Sequence, residues 1–192
     1  MDLSSKLFQD NFIIDKSSPV INISNEIWLA FIQEIIHWKD NDIYAISFFL
    51  DYEDDNQNDM RLHFGYNTER QVKKELCNDL TPETVRWNYH MWLQNETFCF
   101  GEDGNTDGLI NVWLKQQKIR PDEAITFFIK EIINAIQEIH KCGAIKERFG
   151  KDIPIIVHTF NYYENIAYIN QKANRELLPQ EFVDYCINKD SE

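Results

Sequence analysis

The chain has 192 residues, of which 43% are hydrophobic, so it can build one sizeable core in a domain of ordinary size. Its formal net charge of -13 and its pI near 4.8 argue against binding to nucleic acid or to an anionic membrane, because both need a basic surface. The sequence has no apolar run of about 18 residues and no basic, apolar start of the signal-peptide type. We therefore expect a cytoplasmic protein with a single domain over residues 1–192, in which residues 1–23 are an ambiguous, irregular extension.

The first predicted elements are a helix and a hairpin. Ser24 has the chemistry of an N-cap, and apolar side chains recur at helical spacing over residues 25–39. Residues 42–52 are rich in β-branched and aromatic side chains, as in a strand. An acidic loop at residues 53–59 separates them from a second strand at residues 60–66, which predicts an antiparallel hairpin with a long acidic tip.

Two capping signals follow the hairpin. Thr68 and Gln71 fit a capping box, which predicts a helix that ends near Cys77. Thr81 and Pro82 then offer a cap and a first-turn proline for the next element.

That next element is ambiguous. Apolar residues alternate from Val85 to Met91, as in a strand, whereas Trp87, Met91 and Gln94 share one face of a helix. We favour a strand that breaks into a short helix around Asn88.

The second half of the chain is predicted to be mostly helical. Residues 103–107 form a turn, and a helix of about three turns begins near Thr106. The longest helix covers residues 121–142, from a proline at its start to Gly143 as its stop. Residues 153–160 predict a strand, and its continuous apolar core at residues 155–157 indicates burial on both faces. This order of elements predicts an α+β fold, with a small mixed or antiparallel sheet and helices packed on it.

Residues 86–95 combine two tryptophans with a tyrosine, a histidine and three amides. Aromatic and amide groups at this density shape either a core or a binding surface. In the first interpretation, Trp87, Met91 and Leu93 are core residues. In the second, the segment forms a recognition or small-ligand site lined by Trp87, Asn88, His90 and Trp92.

Residues 103–111 resemble the front half of a calcium loop. The ligands at positions one, three and five would be Asp103, Asn105 and Asp107. Calcium needs hard oxygen ligands that converge on a tight turn, and this spacing supplies them. Position twelve, however, is Leu114 instead of glutamate, and an ordinary turn capped by Thr106 or Asp107 uses the same residue types. Calcium is the one candidate cofactor; otherwise no cofactor is predicted.

No recognised catalytic spacing accompanies these segments. The sequence contains no serine elbow, no phosphate-binding glycine loop and no C-x-x-C pair. Its four cysteines lie far apart, as is typical of free thiols in a reducing compartment. His63, His90 and His158 could converge from strands on a zinc ion, with isolated histidines as the alternative. A non-enzymatic function is therefore favoured over an enzymatic one.

Three stretches resemble a known bacterial family. They are residues 43–49 with their acidic tip and residues 66–69, Arg86-Trp87-Asn88 with Trp92, and the long helix to Gly143 with residues 149–157 and Asn174. In these features the chain resembles the family known as domain of unknown function 4303. The resemblance implies an α+β fold and a bacterial cytoplasmic protein, and it brings no catalytic residue. Some small acidic domains of this kind resemble immunity proteins of bacterial toxin systems.

We expect a non-enzymatic interaction protein whose acidic loop contacts a basic protein partner. In that loop, Asp54 and Asp55 would pair with lysine and arginine side chains of the partner, while aromatic residues anchor the contact. One alternative is an enzyme or small-ligand binder with its site at residues 87–92. Another is a calcium-stabilised module at residues 103–111.

Overall fold

The computed structural model describes residues 19–53, 56–76, 80–92, 94–159 and 165–189. The strands in these ranges are β1 (Ile43–Glu53), β2 (Asn56–Thr68), β3 (Gln94–Phe100) and β4 (Ile155–His158). The α-helices are α1 (Ile23–Ile35), α2 (Glu69–Glu75), α3 (Pro82–Trp87), α4 (Leu109–Gln117), α5 (Ala124–Cys142), α6 (Ala144–Phe149), α7 (Asn165–Asn174) and α8 (Gln180–Lys189). Short 3-10 turns lie at Tyr89–Met91, Gly104–Thr106, Pro121–Glu123 and Arg175–Leu177. The predicted α+β fold is confirmed.

The strands form one mixed sheet in the order β3-β2-β1-β4. β1 and β2 are an antiparallel hairpin, as predicted, and β3 pairs antiparallel with β2. The predicted bounds of the loop at residues 53–59 are wrong, because β1 continues to Glu53 and β2 already begins at Asn56, where pairing between the strands extends them. β4 lies parallel to β1, which requires a crossover connection, and the intervening helices supply it. The hairpin end of the sheet is the end at which β1 finishes. The opposite end is the end at which β4 begins.

One face of the sheet packs against α1, α4 and α5. At its centre Phe31 is fully buried, and its ring meets those of Phe48 and Phe64 edge-on, with centroids 5.2 and 5.6 Å away. Such edge-to-face pairs add to the free energy gained from burying apolar area. This cluster joins α1 and α5 to the hairpin.

The other face of the sheet packs against α3 and α8. Ala45 and Ile156 cluster there with Trp87, whose ring meets that of Phe182 at 5.4 Å between centroids. β4 is buried along its whole length, as its continuous apolar run predicts. The sheet therefore has an apolar cluster on each face.

The helix ends follow local capping signals. α1 starts after Asn22, whose side chain accepts a hydrogen bond at 3.2 Å from an amide of the first turn, so the predicted cap at Ser24 is wrong. Thr68 caps α2 by accepting a hydrogen bond from the Gln71 amide at 3.1 Å. α5 stops at Gly143, whose φ of 74° is the left-handed conformation that a C-terminal stop requires.

The segment after Thr81 is helical, and the predicted strand at Val85–Met91 is wrong. The Thr81 side chain accepts a hydrogen bond from the Thr84 amide at 3.2 Å, and a first-turn proline fits this cap, so α3 forms instead. The short helix predicted around Asn88 is present as the 3-10 turn Tyr89–Met91. β3 is missing from the prediction because its first half is polar and only pairing with β2 makes it a strand.

β4 lies at an edge of the sheet, and two side chains of α7 cover that edge. The Asn170 side chain accepts a hydrogen bond from the N–H of Val157 at 2.7 Å and donates one to its C=O at 3.0 Å. Asn174 does the same for Ile155, at 2.8 Å for both bonds. Because the asparagines lie four residues apart on one helix face, they match backbone groups two residues apart along a strand. The outward backbone groups at these positions are satisfied as a neighbouring strand would satisfy them.

Candidate functional site

Trp87 and Trp92 lie in the core. Their exposed fractions are 2% and 3%, and both belong to the cluster that includes Phe182. The indole N–H of Trp92 donates a hydrogen bond to the carbonyl of Arg86 at 3.0 Å. These two predicted binding residues are therefore part of the core and do not form a binding surface.

Arg86 holds this segment against the sheet. Its guanidinium donates to both carboxylate oxygens of Glu69 at 2.9 to 3.1 Å, and lies 4.3 Å from the ring centre of Tyr44. The Tyr44 hydroxyl donates to the Arg86 carbonyl at 2.5 Å, and burial raises the pKa of Tyr44 above its ordinary value. Glu181 of α8 lies 3.7 Å from the same guanidinium. Arg86 thus joins β1, α2, α3 and α8, which is a structural role.

Asn88 and His90 reach the surface beside this core. Asn88 is half-buried, and its side-chain oxygen accepts a hydrogen bond from the His90 amide at 3.1 Å. The side chain of His90 is exposed. Between them, Tyr89 stacks on Phe49 of β1 with ring centres 4.4 Å apart. The predicted binding residues of this segment are thus divided between core and surface.

His158 is a buried histidine that the sequence singles out only as a candidate zinc ligand. Its ring lies 5.2 Å from that of Tyr89 and 5.1 Å from that of Trp92, measured between centres. Burial, with a smaller contribution from His90, lowers the pKa of His158 to about 3. Within the described ranges, no group of three or more His, Cys, Asp or Glu side chains is arranged to hold a metal ion.

Carboxylates from separate parts of the chain meet at the hairpin end of the sheet. Asp51 in β1 pairs in register with Arg61 in β2, with 3.9 Å between Oδ2 and Nη1. Arg61 also makes a close ion pair with Glu102, which follows β3. His63 approaches Asp51 as well, with 3.8 Å between Nε2 and Oδ2. Two carboxylates that lie far apart in sequence therefore share one arginine.

The turn after β3 brings more carboxylates to this end. Gly101 begins the turn with a φ of 109°, and a Cβ at this position would lie 3.1 Å from Cδ1 of Ile110 and 3.5 Å from the Met60 carbonyl oxygen. The turn therefore packs closely against Ile110 of α4 and is in ordinary contact with β2. We name the resulting set the acidic end: Asp51, Glu102, Asp103 and Asp107. The last three of these side chains are exposed.

The thiol of Cys99 responds to the negative charge of the acidic end. Burial, followed by the charges of Glu102 and Asp103, raises the pKa of the Cys99 thiol to about 12. The thiol therefore stays protonated at neutral pH, although its strand partner is His63, which lies beside Asp51. Because a nucleophile needs a lowered pKa or an engaged base, this trio is not primed for nucleophilic catalysis.

Asp103 has a structural role in the turn. One of its carboxylate oxygens accepts a hydrogen bond from the Cys99 amide at 2.8 Å, which closes the outward side of β3 at that residue. Asn105 and Asp107 are exposed. The bond to Cys99 is what an ordinary turn before a helix would use, and it occupies one oxygen of the first predicted calcium ligand.

The start of α4 differs from the prediction. Gly108 occupies the N-cap with a φ of 64° and makes no side-chain cap hydrogen bond. The predicted caps at Thr106 and Asp107 are therefore wrong. The Thr106 hydroxyl instead donates to the Asp103 carbonyl at 2.8 Å, because the intervening residues form a 3-10 turn.

Some predicted features lie outside the described residues. They are residues 1–18 of the predicted N-terminal extension, Asp54 and Asp55 of the acidic loop, Cys77, and Leu93, which was one of the predicted core residues. β1 and β2 pair up to Glu53 and Asn56, so the chain on either side of the two aspartates is at the hairpin end. Among the described residues, the cysteines Cys99, Cys142 and Cys186 form no disulfide bond.

Comparisons with family models, with curated proteins and with solved structures found no match to this chain. The resemblance to domain of unknown function 4303 therefore stays a prediction. Among the helices of the described residues, none is long and apolar enough to cross a membrane.

Proposed function

We propose that this protein is a non-enzymatic interaction protein whose acidic end binds a basic surface of a partner protein. The observation that carries the proposal is the convergence of carboxylates from β1 and from the turn after β3 on one end of the sheet. The formal net charge of -13 supports it, because a strong field of one sign speeds the approach of an oppositely charged partner.

Arg61 illustrates the chemistry of the contact. Its guanidinium lies between Asp51 and Glu102, and a partner's arginine or lysine would meet the same kind of carboxylate pair. Phe49 links this end to the neighbouring turn, because its ring lies 5.9 Å from that of His63 and 4.4 Å from that of Tyr89. In that turn Tyr89 is buried and His90 is exposed, so His90 is the side chain that would extend the surface.

Occlusion is the mechanism that such a surface supports best. Carboxylates that take the place of phosphates would cover the basic site of a toxin, as an immunity protein does. The bacterial origin, the cytoplasmic location and the immunity role rest on the resemblance described above, and the geometry supplies only the acidic surface.

The two alternative functions have less support. At residues 87–92, both tryptophans pack inside the core, so the aromatic part of the predicted ligand site is not presented to solvent. At residues 103–111, one carboxylate oxygen of Asp103, the first predicted calcium ligand, is occupied by a hydrogen bond from the Cys99 amide.

An affinity pull-down from the lysate of the native host tests the proposal. The full chain carries a tag and is washed at low and moderate salt, and captured proteins are identified by mass spectrometry. The test variant combines Glu102→Gln with Asp107→Asn, and the control variant combines Glu83→Gln with Glu147→Gln, which removes the same charge from exposed positions on α3 and α6.

We expect the unmodified chain and the control to capture one basic protein that is released as salt rises. The test variant should bind it about five- to tenfold less tightly, because each exposed charge pair contributes up to about 1 kcal/mol. Equal binding by the two variants, or capture that does not depend on salt, would count against the acidic end.

A further inference from the structure

A second cleft lies at the opposite end of the sheet, away from the acidic end. It has a volume of about 490 Å³ and lies between the last turn of α5, the last turn of α7 and the residues before β4. Sites for small molecules commonly have volumes of about 300 to 1,000 Å³. The groups that decide what this cleft could hold are His140, Asp152 and Arg175.

His140 has a fixed hydrogen-bonding state. Its Nε2 lies 3.1 Å from Oδ1 of Asn174. The amide nitrogen of Asn174 donates to the carbonyls of Ile155 and Asn170, at 2.8 and 3.1 Å, so the orientation of that amide is set. Because Oδ1 can only accept, His140 must donate from Nε2. In the neutral ring Nδ1 is then an acceptor, and burial lowers the pKa of His140, which keeps the ring neutral.

Arg175 stands in a strained backbone conformation at the edge of the same cleft. Its φ is 53°, in the left-handed region that disfavours any residue with a Cβ. Glycine usually fills this position at a helix end because it has no such cost. Strain of this kind is often retained at functional sites. The guanidinium is exposed, and no carboxylate of the described residues pairs with it.

The other charged side chains of the cleft are Lys141, Glu138 and Glu176, the last of which is exposed beside Arg175. Lys141 is paired with Glu138 at 3.1 Å. Asp152 is near enough to His140 to influence its charge, and lies 3.9 Å from Lys146. The lining of the cleft therefore combines a guanidinium without a carboxylate partner among the described residues, a neutral histidine whose Nδ1 is an acceptor, and the carboxylate of Asp152, which is shared with Lys146.

We propose that this cleft is a binding site for a small carboxylic acid that also carries an amino or hydroxyl group. Arg175 binds the carboxylate of the ligand, and Nδ1 of His140 accepts a hydrogen bond from its amino or hydroxyl group. An amino group gains a second partner in Asp152, so an amino acid is preferred to a hydroxy acid. The site is independent of the acidic end and of the function proposed for it.

Binding is tested with defined probes on the full chain. L-serine, L-glutamate, L-lactate and acetate are each added at about 10 mM, and the melting temperature and the ring resonances of His140 are recorded. We expect at least one amino acid to raise the melting temperature by about 3 °C and to shift the His140 resonances. Acetate, which has a carboxylate and no donor, should do neither.

The structure offers a matched pair of variants. Arg175→Gly relieves the backbone strain, so it should raise the melting temperature of the unliganded protein and abolish the response to the amino acid. Lys118→Gly is the control, since Lys118 ends α4 with a φ of 54°; it should stabilise the protein to a similar degree and keep the response. Arg175→Gln keeps the strain and should also lose the response. The proposal is overturned if no probe shifts the His140 resonances, or if Arg175→Gly responds as the unmodified chain does.

Discussion

Among single residues, His158 has the clearest effect on stability. Burial lowers its pKa from 6.5 to about 3. In the unfolded chain the imidazole binds a proton below about pH 6.5, whereas in the native protein it stays neutral down to about pH 3. The contribution of His158 to the free energy of unfolding is therefore fully present above pH 6.5. As the pH falls from 6.5 towards 3, this contribution is lost by at most about 1.4 kcal/mol per pH unit.

We predict that His158→Gln weakens this acid dependence. The variant should lose about 1 to 3 kcal/mol of stability at pH 7 because the packing around the ring changes. Its free energy of unfolding should nevertheless fall less steeply between pH 6.5 and pH 4. Urea unfolding at several pH values measures both effects. His37→Gln, at an exposed histidine, should keep the dependence of unfolding free energy on pH that the unmodified chain has. If both variants show the same dependence, His158 is not its source.

The residues of the acidic end were only partly predictable. Asp103 and Asp107 stand out in the sequence because their spacing resembles a calcium loop. Asp51 and Glu102 do not, because their meeting depends on the pairing of β1 with β2 and of β2 with β3. The strain at Arg175 has no sequence signal, since arginine is an ordinary residue in a helix.

At the scale of secondary structure, the contact of α7 with β4 yields a further prediction. Asn170→Ala leaves the N–H and the C=O of Val157 without their partners. We expect a loss of about 2 to 4 kcal/mol in the free energy of unfolding, because each buried unsatisfied group costs about 1 to 3 kcal/mol. Urea unfolding measures it. Gln171→Ala, at an exposed neighbouring position, should lose less than about 0.5 kcal/mol, and an equal loss in both would mean that the two bonds contribute little.

Elements with local signals were predictable, and those that depend on distant partners were not. α1, the hairpin and α5 carry periodic apolar residues and clear stops, so the sequence alone indicates them. β3 begins with polar residues and becomes a strand only by pairing with β2. The alternating apolar residues of α3 wrongly predict a strand, whereas the cap at Thr81 and the following proline favour a helix locally.

For the whole molecule, the net charge of -13 predicts that stability depends on salt. Repulsion among carboxylates disfavours the compact state, and salt screens it, so the melting temperature should rise between about 20 and 200 mM NaCl. Asp107→Asn should raise the melting temperature at low salt and reduce its dependence on salt. Lys151→Gln, which removes an exposed positive charge, should have the opposite effect. A melting temperature that is the same at all salt concentrations would contradict this account.

Hydrogen bonds to β4 and to one residue of β3 limit where another strand could add to the edges of the sheet. Asn170 and Asn174 occupy the outward backbone groups of β4, and Asp103 occupies the outward amide of Cys99 in β3. Strand addition, in which a partner reads the backbone and tolerates many sequences, is blocked at these positions. In the contact proposed for the acidic end, side chains would carry the recognition. A surface of that kind would change its partner by a few substitutions among its carboxylates while the fold beneath it stays the same, so specificity would evolve faster than structure.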